Sequence, residues 1–148
     1  MRAVIHADGA SSGNPGHSGV GAVVDFKGKT HEIAEPIGIA TNNIAEYTSL
    51  LMALELALEL GAGEAEVYMD SELVVRQMKG QYKVKNEGLK PLYLRASKLS
   101  GKFSKFSISH VPREENKEAD RLSKKALEKP MPPGDQSNFG EPQGSLPF

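Results

Sequence analysis

The 148-residue sequence contains no cysteine. That excludes a disulfide framework, a thiolate metal centre and a cysteine nucleophile. Any metal must then be held by carboxylates, histidines or carbonyls, a donor set that favours Mg²⁺ or Mn²⁺ over structural zinc. No apolar run approaches the ~18 residues of a membrane span, and no charged-then-apolar leader opens the chain. The expectation is a cytoplasmic protein with no membrane partner. Tryptophan is absent and aromatic residues make up 6%. What remains, 39% hydrophobic and 25% charged, is the balance of an ordinary globular protein. The length suits one domain that buries roughly two thirds of its unfolded surface.

The net charge of −1 conceals an asymmetry. From Arg76 to Lys105 nine basic residues face a single acid, Glu87, so this segment carries +8 and the remainder −9. Tyr82, Tyr93 and Phe103 are interleaved with the bases. A basic, aromatic-bearing face beside an acidic remainder reads as a polyanion track next to a carboxylate site.

The periodicity predicts strands over residues 3–8, 20–26 and 30–39, joined by short loops as an antiparallel meander. The first loop, Gly9 to Gly16, is rich in glycine and follows directly on Asp8, so backbone N–H groups there can approach a phosphate or sugar closely. The period then changes. Thr41-Asn42-Asn43 offers N-cap chemistry for a helix over 44–60, apolar on more than one stripe and stopped by Gly61. Glu46 in its first turn reads as a macrodipole partner or as half of a capping box. Residues 64–69 form a fourth strand, and strand–helix–strand implies a right-handed parallel crossover. Asp70 ends that strand, with a short helix running to Met78 behind it, capped by Asp70 or by Ser71. A basic loop over 79–86 leads to a helix over 87–99, a fifth strand over 103–110 and a last helix from Asn116 to about Glu128. From residue 129 onward proline and glycine dominate. The chain therefore divides into a domain over 1–128 and a Pro/Gly-rich tail over 129–148, carrying Phe139, Leu146 and Phe148.

Four carboxylates share a pattern in this order of elements: Asp8 and Asp70 at strand ends, Glu46 and Asp120 in the first turns of helices. The crossover brings both strand ends to one sheet edge, where open α/β sheets place their sites. Carboxylates so close repel unless divalent cations hold them. Two Mg²⁺ ions roughly 4 Å apart can activate a water and stabilise the leaving oxygen of a phosphoryl displacement.

Four motifs now coincide: Asp8-Gly9-x4-Asn14-Pro15-Gly16, Thr41-Asn42-Asn43-x2-Glu46, Asp70-Ser71, and His110-Val111-Pro112-Arg113-x2-Asn116-x2-Ala119-Asp120-x-Leu122. In order, spacing and context they resemble ribonuclease H type 1, over residues 1 to about 128. The resemblance implies a ribonuclease H-like α/β fold: a five-stranded mixed sheet in the order 3-2-1-4-5 with helices on both sides. It implies endonucleolytic cleavage of the RNA strand of RNA–DNA hybrids, giving 5′-phosphate and 3′-hydroxyl ends, by a monomer. It also implies that Asp8 bridges two Mg²⁺ ions, Mn²⁺ being a substitute, with Glu46 and Asp70 on one ion and Asp120 on the other. Gly9, Ser11, Gly13 and Asn14 of the loop, with Asn42 and Asn43, would face the minor groove, where 2′-hydroxyls distinguish RNA from DNA. Thr41 would lie near the DNA phosphate, and Asn116 joins the substrate contacts.

The sequence departs from the family at three points. Glu72 stands where many members have Gln at a minor-groove contact. The long basic handle with its tryptophans is missing, so the chain resembles the compact, handle-less branch, and the 79–90 loop supplies weaker hybrid contacts. The mobile residue that assists proton transfer or product release is either His110, by spacing, or Arg113, in the loop proper. His6, His17 and His31 read as ordinary structural or surface histidines. Competing readings are a catalytically silent hybrid-binding module, an added activity on double-stranded RNA, a transposase- or integrase-like DNA activity, and an actin-like phosphotransferase domain. Intact carboxylates oppose the first, and the last needs a duplicated domain that 148 residues do not hold.

Overall fold

The computed structural model describes residues 1–130, so residues 131–148 of the expected tail lie outside the described residues. The strands are β1 (Arg2–Ser11), β2 (Gly16–Phe26), β3 (Lys29–Ala40), β4 (Glu64–Met69) and β5 (Lys105–His110). The helices are α1 (Asn42–Glu59), α2 (Glu72–Met78), α3 (Lys90–Ser100) and α4 (Lys117–Ala126), the last preceded by a 3₁₀ turn over Arg113–Glu115. The strands form one sheet in the expected order β3-β2-β1-β4-β5. β2 runs antiparallel to β1 and β3, whereas β4 joins β1, and β5 joins β4, in parallel.

Alternation along β1 assigns the two faces. Ala3, Ile5 and Ala7 enter the main core with Tyr47, Leu50, Leu51 and Leu54 of α1. Asp8 points the other way, toward α4. α1 is buried on several sides, as its multiple apolar stripes predict, because α3 covers it from outside through Leu92, Ala96 and Leu99. Among the described residues no helix is long and apolar enough to cross a membrane.

Four local expectations are corrected. β1 does not end at Asp8. It continues to Ser11, which pairs with Ser18, so the loop shrinks to residues 12–15. Asp8 instead lies mid-strand, one residue past the Ala7–Met69 pair at which β4 stops. α3 starts at Lys90 rather than at residue 87. Asn86 Oδ1 accepts the Gly88 N–H at 2.7 Å, an Asx turn that holds this stretch out of the helix, and Pro91 fits its first turn. β5 starts at Lys105, opposite Glu64, while Phe103 is buried in the turn before it. Finally, Asn116 precedes α4 but makes no side-chain cap bond: its Nδ2 donates to the Ala7 carbonyl, and its buried Oδ1 has no partner among the described residues.

Candidate active site

Three chain segments deliver carboxylates to one cleft. Asp8 comes from the middle of β1 and Asp70 from the residue after β4, side by side because the strands are parallel neighbours. Glu46 comes from α1, across the sheet edge. The close approach that brings it there depends on Gly9: a Cβ at that position would lie 2.3 Å from the Ala45 carbonyl carbon and 2.5 Å from Glu46 N. With β4 already ended, the Gly9 N–H has no strand partner on that side and donates to Glu46 Oε1 at 2.8 Å. Asp8, Glu46 and Asp70 each offer an oxygen within 4.8 Å of the others. Asp120, in the first turn of α4, faces the same cleft of about 380 Å³, together with Gly9, Ser11, Asn42, Arg113 and Lys124.

The sequence left open what caps the two helices behind these acids. Thr41 caps α1, its hydroxyl oxygen accepting the Ile44 N–H at 3.2 Å. That puts Glu46 two residues past the position a capping box requires, so neither box nor first-turn dipole explains it. Ser71, not Asp70, caps α2 by accepting the Val74 N–H. Both carboxylates are therefore free of local structural duty.

The electrostatics are those of an acid cluster short of compensation. Burial pushes the Asp8 carboxyl from its ordinary 3.8 up to about 7; a hydrogen bond from Ser123 opposes the rise and Asp70 adds to it. Burial also raises Glu46 well above the carboxylate range, reinforced by Asp8 and Asp70. Among the described residues, Asp70 Oδ1 is buried with no hydrogen-bond partner. Asp120 is compensated: its two oxygens pair with Arg113 at 3.3 Å and with Lys124 at 3.2 Å. A buried, unpartnered carboxylate oxygen among three converging acids fits a hard divalent cation, and an all-oxygen donor set suits Mg²⁺ or Mn²⁺.

The other predicted residues divide. Ser11 lies on the cleft wall, its hydroxyl within hydrogen-bond reach of Ser18 and of the Ala40 carbonyl. Asn14 Oδ1 accepts the Asn42 N–H at 3.1 Å, tying the β1–β2 loop to the start of α1; Gly13, Asn14, Asn42 and Asn43 are exposed there. Arg113 enters the cleft lining, whereas His110 stands exposed at the end of β5 opposite Met69, outside it. Glu72 is exposed and engaged by Arg76 at 2.8 Å. Asn116 is placed differently from a groove contact. It is 1% exposed and its amide donates to the Ala7 carbonyl at 3.0 Å, pinning α4 beneath the cleft. The basic segment frames a second concavity of about 470 Å³ around Tyr82, Lys83, Val84, Lys90 and Tyr93, with Arg76 over the Tyr82 ring.

Two residues at the cleft went unnoticed in the sequence. Lys124 and Ser123 lie four and three residues after Asp120, on the same helix face, and that spacing was the signal available. Ser123 is fully buried and donates to Asp8 Oδ2 at 2.6 Å.

The family described as "Reverse transcriptase-like" matches residues 6–126. A bifunctional protein of Mycobacterium tuberculosis is 48% identical over 131 residues, covering 86% of this chain and 36% of that protein. Ribonuclease HI of Halobacterium salinarum is 42% identical over 128 residues, covering 84% of this chain and 64% of the relative. The chain thus spans about a third to under two thirds of the length of these relatives. Among solved structures, LC11 ribonuclease H1 in complex with an RNA/DNA hybrid superposes with a TM-score of 0.79 at 42% identity, covering 85% of this chain and 96% of that one.

Proposed function

The chain belongs to the ribonuclease H type 1 family, and from that premise we propose that it is an endonuclease hydrolysing the RNA strand of RNA–DNA hybrids with two divalent cations, leaving 5′-phosphate and 3′-hydroxyl ends. The observation that carries this reading is the meeting of Asp8, Glu46 and Asp70, with one buried oxygen of Asp70 left without a partner. Those three residues would hold the cations, and Asp120 across the cleft is the fourth donor. When bound, Mg²⁺ or Mn²⁺ supplies an activated water and neutralises charge on the leaving oxygen.

The protein's own groups do the rest. Arg113 and Lys124 put positive charge at the cleft mouth beside Asp120, where a phosphodiester must enter. A guanidinium stays protonated at neutral pH and cannot serve as a base, so Arg113 assists through charge and release of the product phosphate. His110 can move a proton, from its position outside the cleft lining. The loop around Gly13 and Asn14, joined to Asn42 and Asn43 at the head of α1, presents donors and acceptors suited to 2′-hydroxyls in a minor groove. The Thr41 hydroxyl keeps its proton for a phosphate of the DNA strand, since its oxygen only accepts in the cap. The basic concavity at Tyr82, Lys83 and Lys90 extends the track for the duplex backbone. A relative solved with an RNA/DNA hybrid supports the substrate class. We take the acting unit to be the monomer.

The test is cleavage of end-labelled hybrid, double-stranded RNA and double-stranded DNA in Mg²⁺, Mn²⁺ or EDTA. The expected result is internal cleavage of the hybrid's RNA strand, lost in EDTA. Undiminished cleavage in EDTA would remove the mechanism. Cleavage of double-stranded RNA would widen the substrate class.

A further inference from the structure

α4 is seated directly on β2, and two glycines make room for it. A Cβ on Gly21 would lie 2.3 Å from Ser123 N and 2.4 Å from the Ala119 carbonyl oxygen; one on Gly19 would lie 2.8 Å from the Ser123 carbonyl oxygen. Gly21 is the residue paired with Asp8 across the β1–β2 ladder. The close approach therefore delivers the middle of α4 to the Asp8 carboxylate. There the fully buried Ser123 sets its Oγ 2.6 Å from Asp8 Oδ2 and 2.9 Å from the Asp120 carbonyl oxygen. A hydroxyl has one proton to give. The charged carboxylate, at the shorter distance, is the stronger acceptor. One side chain thus spans the carboxylate of β1 and the helix that carries Asp120.

We propose that Ser123 is a positioning residue for divalent-cation binding: its hydrogen bond fixes the rotation of the Asp8 carboxylate and its placement relative to Asp120. The inference rests on the hydrolytic reading above. An aspartate carboxylate turns in a broad, roughly two-fold torsional well, so a sequence that left Asp8 without a donor would leave its oxygens unaimed. The bond consumes none of the ligating capacity, because an ionised carboxylate offers about four lone-pair sites. Partners that orient metal-ligating groups are typically worth 10–100-fold in metal affinity. Asn116, pinning the start of the same helix to Ala7, supplies the fixed end against which Ser123 acts.

The experiment compares the full-length protein with Ser123→Ala and Ser123→Cys. Mg²⁺ and Mn²⁺ are titrated calorimetrically into substrate-free protein, and hybrid cleavage is followed against cation concentration. Each variant should melt cooperatively in EDTA and bind cation roughly tenfold more weakly. Half-maximal cleavage should need correspondingly more Mg²⁺, with KM for the hybrid at saturating Mg²⁺ unchanged. A purely structural role would move the melt and leave the cation dependence where it was. Cation affinities of the variants equal to that of the unmodified protein overturn the inference while leaving the hydrolytic reading standing. An unmodified protein that binds no cation sinks the hydrolytic reading, and this inference with it.

Discussion

Removing the charge at the centre of the cleft should stabilise the fold while ending catalysis, and Asp8→Asn tests this most directly. In the cation-free protein Asp8 is 4% exposed, and burial raises its carboxyl from 3.8 to about 7. Each pKa unit is about 1.4 kcal/mol, so holding Asp8 ionised in the folded state costs about 4 kcal/mol above pH 7. Because the folded value is the raised one, the stability linked to this group is fully present below about pH 4. It is lost as pH rises from about 4 to about 7. An asparagine carries no charge to desolvate, and its carbonyl oxygen still accepts from Ser123 Oγ. Allowing for imperfect partners for the new amide, a gain of about 2–4 kcal/mol at pH 8 is expected. That is roughly 10 °C in Tm for a domain of this size. The assay is thermal unfolding of both proteins in EDTA at pH 8 and pH 5. The gap should be largest at pH 8 and fall to less than half at pH 5, where the folded wild type already carries the proton. Added Mg²⁺ should raise the wild-type Tm by mass action and leave the variant nearly unmoved. An Asp8→Asn protein that melts at or below wild type at pH 8 in EDTA would refute the reasoning, because burial of the charge would then not be the dominant cost.

Three further perturbations follow from the same geometry. Asp70→Asn should abolish hydrolysis while hybrid affinity, read by fluorescence anisotropy in EDTA, stays near wild type; full activity would overturn the cation-ligand assignment. Gly9→Ala should cost about 2–3 kcal/mol in a denaturant titration, the penalty of overpacking, because the new methyl meets the α1 backbone at 2.3 Å; a wild-type midpoint would mean that α1 and β1 are not locked together here. Asn116→Ala should cost about 1–3 kcal/mol by leaving the buried Ala7 carbonyl unpaired, with hybrid affinity retained; a selective loss of hybrid affinity would instead restore Asn116 as a substrate contact.

The sheet order and the parallel crossover were legible because they follow from coarse features: period-2 runs, one long helix with a polar cap, and the handedness of β-α-β connections. Boundaries were less so. Gly9, Ala10 and Ser11 have poor strand propensity, yet β1 runs through them because β2 offers Val20, Gly19 and Ser18 as ladder partners. Asp8 and Asp70 stood out as acids following apolar runs, and Glu46 and Asp120 through their motifs. What no local pattern encodes is a contact made across the whole chain. Ser123 meets Asp8 across 115 residues, and Asn116 meets Ala7 across 109. Asn116 looked like a cap with a groove-facing amide, and only the tertiary placement of α4 turns that amide inward.

Those long-range contacts also explain how the fold tolerates four acids in one cleft. Three of them are relieved, each by a different device. Asp120 has Arg113 and Lys124, Asp8 has the Ser123 hydroxyl, and Glu46 has the Gly9 N–H. The relief falls from two full charges to single dipoles, and ends at Asp70, whose Oδ1 has nothing. A burial cost of several kcal/mol per uncompensated charge is large against a total stability of about 5–15 kcal/mol. Among the described residues the fold therefore leaves Asp70 Oδ1 buried and uncompensated where β1 and β4 part, and the opposite edge carries Arg113 and Lys124. A divalent cation would give the largest relief at Asp70, the acid with the least compensation. The Arg113–Lys124 side, whose charges already relieve Asp120, is where an incoming phosphate would meet positive charge.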